Sequence, residues 1–221
     1  MSESKEYPPI LLVLERRGAN WYGLAMATSE EALVATSTGR AMDEALHYLE
    51  ISLPKGAPYA FAKESEPRYE ATIDLLASLE AGADILPEYA LSKAWISEER
   101  ARVFKLVSAI PRGYACSYGR IAAAAGVIAR EVGSLMAHNP LYPLVPCHRV
   151  VGSDYSLVGY RGATEGPDLD DKLERLCAEA RGFKDEPRVG GADGILVFPV
   201  ERVIARVAGR DRGEAGQLSL W

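Results

Sequence analysis

A cysteine beside a histidine is the feature of this sequence best equipped for covalent chemistry. The chain holds three cysteines and three histidines, and one of each stands in VPCHRVVG as Cys147 and His148. A thiol attacks as thiolate, and a free cysteine with a pKa near ~8.5 is mostly protonated at neutral pH. An imidazole can take that proton, directly or through a water, and a carboxylate behind the ring would hold its tautomer. Glu174 and Glu179 downstream are the candidates for this third member. CHRVVGS reads as a short buried strand, in which neighbouring side chains point to opposite faces. Cys147 and His148 therefore need not touch each other. The competing reading makes Cys147 a small buried hydrophobe and His148 a structural histidine.

The elements that must position this pair divide the chain. Residues 9–38 read as three short strands, PILLVLE, NWYGLAMAT and EALVATST, with a turn at Gly18-Ala19-Asn20. RAMDEALHYLEIS follows as a helix with Met42, Leu46 and Leu49 on one face. After a Pro54–Pro58 loop come an extended YAFA and a second amphipathic helix, EPRYEATIDLLASLEAG, ended by Gly82. The expected organisation is an α/β domain with a small antiparallel sheet over 1–81, a linker over 82–96, a mainly helical domain over 97–182 and an extension over 183–221.

Within 97–182, ISEERARVFKLVSAI is a helix capped by Ser97, with Glu98 and Glu99 at the positive end of its dipole. SYGRIAAAAG and IAREVGSLMAHN are two short helices joined through Gly126, a helix-turn-helix whose second member would enter a groove of nucleic acid. YSLVGYRG is a hairpin or loop, and DLDDKLERLCAEARG an amphipathic helix with Arg181 near its end. Residues 183–221 read as a loop, an apolar ILVFPVERVIARV segment and a polar tail, GRDRGEAGQ, expected to be mobile.

Composition narrows the class. A content of 48% hydrophobic and 25% charged residues is that of a folded soluble protein. No apolar run approaches the ~20 residues that span a bilayer, and the opening MSESKEYPP has no basic-then-apolar pattern, so neither membrane insertion nor a secretory signal is expected. Three cysteines without a C-x-x-C pair form neither a closed disulfide set nor a zinc site, which points to a reducing, cytoplasmic setting. The net charge of −6 hides an asymmetry: from Ser97 to Arg161 the balance is +4, and elsewhere −10. A basic middle in an acidic chain suits a phosphate-bearing partner, although scattered surface charge would give the same balance.

Four stretches, IPRGYACSYGRIAAAAG, REVGSLMAHNP, VPCHRVVG and LVGYRG, occur in the order and close to the spacing of the O6-alkylguanine-DNA alkyltransferases. The segment from Arg102 to about Gly182 resembles the C-terminal domain of that family. The N-terminal half is similar only in layout. The resemblance implies that Cys147 takes an alkyl group from O6 of a guanine and is consumed, with His148 as a water-mediated base, Glu179 orienting His148 and Asn139 bracing the turn before the active strand. Of the two candidate carboxylates, only Glu179 has the family's spacing from Lys172. Tyr118 would donate to guanine N3. Reaching the oxygen requires flipping the nucleotide out of the duplex; Arg130 would fill the gap, and Ala129, Gly133, Ser134 and Ala137 would let the helix lie in the minor groove. Tyr142, Val150, Tyr160, Arg161 and Lys172 would line the substrate pocket. The implied partner is double-stranded DNA carrying O6-alkylguanine, the protein is a monomer, and thiolate attack on an alkyl carbon needs no metal or other cofactor.

Three departures qualify the match. The turn between Gly126 and Arg130 is about two residues shorter than the family's, Glu131 puts a carboxylate on the face that would meet phosphates, and Tyr142 stands where a proline is usual, with Pro143 one place later. Two other functions use the same residues. A lesion-recognition module would need Arg130 and Tyr118 but no thiol. A cysteine hydrolase would need an oxyanion hole, for which no donor loop is evident.

Overall fold

The computed structural model describes residues 8–63, 67–157, 159–163, 165–180, 196–197 and 200–211. The chain forms two compact units, one comprising residues 1–101 with 139–144, the other residues 102–138 with 145–221.

In the first unit, strands β1 (Ile10–Arg17), β2 (Asn20–Ala27) and β3 (Ala32–Gly39) form an antiparallel meander. Gly18, in the left-handed region at φ 61°, makes the tight turn that sets Arg17 opposite Asn20. Helix α1 (Met42–Ser52) then carries the chain back, and β4 (Tyr59–Phe61) pairs with β1 in parallel. The sheet, ordered β3-β2-β1-β4, is therefore mixed, where an antiparallel one was expected. A helical return leaves the next strand running the same way as β1, which a hairpin cannot do.

Core residues Ile10, Leu12, Ala25, Ala27, Val34, Ala35 and Leu49 pack together with Leu46 and Trp95. Ala45 and Leu49 carry the buried face of α1, whereas Met42, expected on that face, is 50% exposed. Its place in the first turn leaves it without a neighbour one turn earlier. Helix α2 (Pro67–Glu80) buries Tyr69, Ile73 and Leu76. Two further segments hydrogen-bond to β3. The Leu33 N–H donates to Ala90 O, and the Leu33 carbonyl accepts from Ser92 N–H. The Thr36 N–H donates to Pro140 O at 2.7 Å, and its hydroxyl to Tyr142 O at 2.8 Å. These bonds occupy an edge that would otherwise invite another strand.

In the second unit a parallel three-stranded sheet, ordered β6-β5-β7, is built from β5 (Tyr114–Ser117), β6 (Val150–Val151) and β7 (Leu196–Val197). Around it lie the part of α3 (Glu98–Ser108) from Arg102 onward, α4 (Tyr118–Ala125), α5 (Ala129–Ala137), α6 (Pro167–Glu179) and α7 (Val200–Asp211). The unit is mainly helical, as expected. Strand β7 and helix α7 divide the apolar stretch that had no assigned structure. The polar tail beyond Asp211 and Arg181 lie outside the described residues.

Helices α4 and α5 form the helix-turn-helix. Ser117 caps α4 by accepting from Arg120 N–H, and Gly126, at φ 72°, ends it. Among the described residues no helix is long and apolar enough to cross a membrane, and no cluster of three or more His, Cys, Asp or Glu could hold a metal ion.

Candidate active site

The reactive pair does not lie on a strand. Cys147, His148 and Arg149 form a single 3-10 turn, closed by Arg149 N–H donating to Pro146 O at 2.9 Å, and the strand begins only at Val150. Pro146 lacks an N–H and cannot join a ladder, which turns the segment away from extended pairing. Successive residues of such a turn project about a third of a revolution apart, so the two side chains still diverge. Both are buried: Cys147 is 6% exposed and His148 5%.

His148 Nε2 lies 2.9 Å from Oε1 of Glu179, the last residue of α6. An ionised carboxylate can only accept, so Nε2 carries the hydrogen, and in the neutral ring Nδ1 is the basic nitrogen. Nδ1 is itself buried. Burial lowers the His148 pKa from its ordinary 6.5, against the opposing pull of Glu179. Burial also pushes the Glu179 carboxyl up, but hydrogen bonds from His148 and Arg149, together with the Arg149 charge, outweigh it and hold it well below the usual carboxylate range. The resulting state is a neutral imidazole backed by an ionised carboxylate. Glu174 is exposed.

Lys172, about two turns before Glu179 on α6, is fully buried. Its Nζ donates to Val150 O at 2.6 Å and to Leu157 O at 3.1 Å, and lies 5.7 Å from the ring centres of both Tyr118 and Tyr160. Burial drives its pKa down to about 8, with the charge of Cys147 acting the other way. Tyr118 opens α4; burial first, and Cys147 second, push its phenol well above the ordinary 10. Cys147, Tyr118 and Lys172 thus share one electrostatic neighbourhood. The Tyr160 hydroxyl donates to Asp171 Oδ2 at 3.3 Å. Arg161 lies in the 3-10 turn 160–162, and its side chain is outside the described residues.

On α5, Val132 and Met136 face the core, while Ala129, Arg130 and Ser134 are exposed and Gly133 and Ala137 half-exposed. A methyl group built at Gly133 would meet nothing within 4 Å, so close packing does not explain the glycine. The short turn before α5 has its own cap: Ile128 N–H donates to Glu131 Oε2 at 3.2 Å. Glu131 therefore satisfies a helix N-terminus that Ile128, which has no side-chain acceptor, leaves open. Asn139 and Tyr142 belong to the first unit. Asn139 Oδ1 accepts from Leu141 N–H at 3.0 Å, and the Tyr142 carbonyl from Thr36.

Residues 98–181 match the family model described as 6-O-methylguanine DNA methyltransferase, DNA binding domain. Over this stretch the chain is similar to that family. The stretch contains every site residue named from the sequence. A methylated-DNA--protein-cysteine methyltransferase of Pyrobaculum aerophilum is 55% identical over 56 residues, 25% of this chain and 38% of the relative. One of Mycolicibacterium paratuberculosis is 42% identical over 87 residues, 38% of this chain and 50% of the relative. The chain thus spans half or less of the length of these two relatives. A solved structure described as Mycobacterium tuberculosis OGT in complex with DNA is 26% identical with a TM-score of 0.48, covering 77% of this chain and 92% of that one.

Sequence reasoning missed Arg149. Its Nε reaches Glu179 Oε2 at 2.9 Å, its Nη2 reaches Oε1 at 2.7 Å, and its Nη1 donates to Ile110 O at 2.8 Å. Adjacency to Cys147-His148 was the only available signal. Asp171, paired with Arg175 and accepting from Tyr160, was missed likewise.

Proposed function

We propose that this protein repairs DNA by direct reversal, moving an alkyl group, methyl foremost, from O6 of a guanine in duplex DNA onto Cys147, once per molecule. The observation that carries the reading is the His148–Glu179 hydrogen bond behind Cys147, inside the stretch that matches the methyltransferase domain. The thiol proton passes to His148 Nδ1, through a water. The thiolate attacks the alkyl carbon, an S–C bond forms as the C–O6 bond breaks, and the electron pair goes onto the guanine. Tyr118, held protonated by its raised pKa, donates a hydrogen bond to N3 of the departing base. Lys172 places a cation near the thiolate.

Access requires a flipped nucleotide. Arg130, exposed on α5, would take the vacated place in the stack, and the small side chains Ala129, Gly133, Ser134 and Ala137 would admit the helix to the minor groove. Val150, Tyr160 and Arg161 would line the base and alkyl pocket. The protein would act as a monomer in the cytoplasm, without a cofactor.

Intact-mass measurement after incubation with duplex O6-methylguanine DNA tests this. A gain of one methyl, mapped to Cys147 and absent from Cys147→Ala, is expected, with DNA binding retained by the variant. An unchanged mass, or repeated turnover, overturns the reading.

A further inference from the structure

We propose that Arg149 is a positioning residue of this site: its guanidinium fixes the carboxylate to which His148 donates and holds the imidazole in its neutral, proton-accepting form. The inference deepens the reading of His148 as the base for Cys147 and rests on it. Geometry carries it. Both Glu179 oxygens are engaged by the Arg149 fork, and Oε1 is shared with His148 Nε2. The third arm of the guanidinium is tied to Ile110 O, so the fork cannot swing with the carboxylate. Side-chain exposures of 6%, 13% and 11% for His148, Arg149 and Glu179 leave little water to compete.

Charge decides what this sharing does. A buried carboxylate whose donor were His148 alone would draw a proton onto the pair, and an imidazolium cannot accept the thiol proton. Arg149 neutralises Glu179 beforehand, so the orienting hydrogen bond stays while the pull toward imidazolium falls. Other charges agree with this direction. Helix α6 presents Glu179 and Arg175 to His148, and Arg175 also disfavours a charged ring. Arg175 is itself paired with Asp171. Strand β5, packed against the turn, carries Tyr114 and Cys116 as its titratable groups and no charged residue.

The test compares the full chain with Arg149→Gln and Arg149→Lys, following the His148 imidazole by NMR titration and transfer to Cys147 by single-turnover kinetics across pH. In Arg149→Gln the His148–Glu179 pair is expected to take up its proton about one unit or more higher in pH, and the acid limb of the transfer profile to move with it. Arg149→Lys keeps a charge but loses the fork, so transfer slows several-fold while the titration stays near wild type. Coincident titrations of wild type and Arg149→Gln overturn the proposal. Should Arg149→Gln fail to fold, a wild-type rate in Arg149→Lys overturns it instead. The imidazole titration does not depend on transfer. A wild-type protein that fails to methylate while the titration shifts would therefore refute the function and leave the role of Arg149 standing.

Discussion

Gly159 lies against the Tyr118 hydroxyl so closely that a methyl group built on its α-carbon would sit 3.1 Å from Oη. The glycine also holds φ 85°, in the left-handed region, where a side chain costs about 1–2 kcal/mol. Backbone conformation and space therefore both exclude a larger residue. Gly159→Ala is expected to lower stability by about that amount in thermal unfolding. It should also slow methyl transfer, because the residue that gives way is the one proposed to donate to the leaving base. A variant as stable and as fast as wild type would show that Tyr118 does not depend on this contact.

Gly133 separates folding from binding. It sits inside α5 with open space where a side chain would go, so Gly133→Ala should raise stability by about 0.5–1 kcal/mol. Gly133→Leu would fill the same space with a bulky group on the face assigned to DNA. Duplex affinity should fall about tenfold, roughly 1.4 kcal/mol, by fluorescence anisotropy, while the fold survives. Equal affinity of Gly133→Leu and wild type would move the DNA interface off α5.

Glu131 holds two effects of opposite sign. Its carboxylate caps the short turn at Ile128, and it places a negative charge on the helix assigned to the groove. Glu131→Gln keeps an oxygen acceptor and removes the charge, so duplex affinity should rise, most strongly at low salt. Glu131→Ala removes both and should lower stability by ~0.3–1 kcal/mol. Salt-dependent binding isotherms and unfolding curves distinguish the two; identical behaviour of the variants would mean that the cap contributes nothing.

The helix-turn-helix was legible because its signals are local: Ser117 before α4, a left-handed Gly126 after it, and a 3.6-residue apolar period through Val132 and Met136. Parallel pairing was not. The two-residue strand β7 lies in an apolar stretch whose partner, β5, is some eighty residues upstream, and nothing local distinguishes it. The turn at Cys147–Arg149 was misread as strand because β-branched residues follow it, while Pro146 decides its shape. Arg149 stayed hidden for a further reason. An arginine in sequence reads as surface charge, and only the fold shows which carboxylate it meets.

Acid lability should arise in two steps that variants can separate. Burial sets the folded pKa of His148 below 6.5, so as pH falls from about 6.5 the unfolded chain binds a proton that the folded one refuses. The stability from this group is complete above that value and declines as pH drops toward the folded pKa. Glu179 is also depressed, from an ordinary 4.5, so its contribution is intact above about 4.5 and is lost only in stronger acid. His148→Gln keeps an N–H donor for Glu179 but does not titrate. Its unfolding free energy should lie flat over the upper window and then fall with wild type below about 4.5. Wild type should slope through both. If His148→Gln retained the upper slope, the acid sensitivity would belong to another group, and a neutral His148 in the folded protein would lose its thermodynamic support.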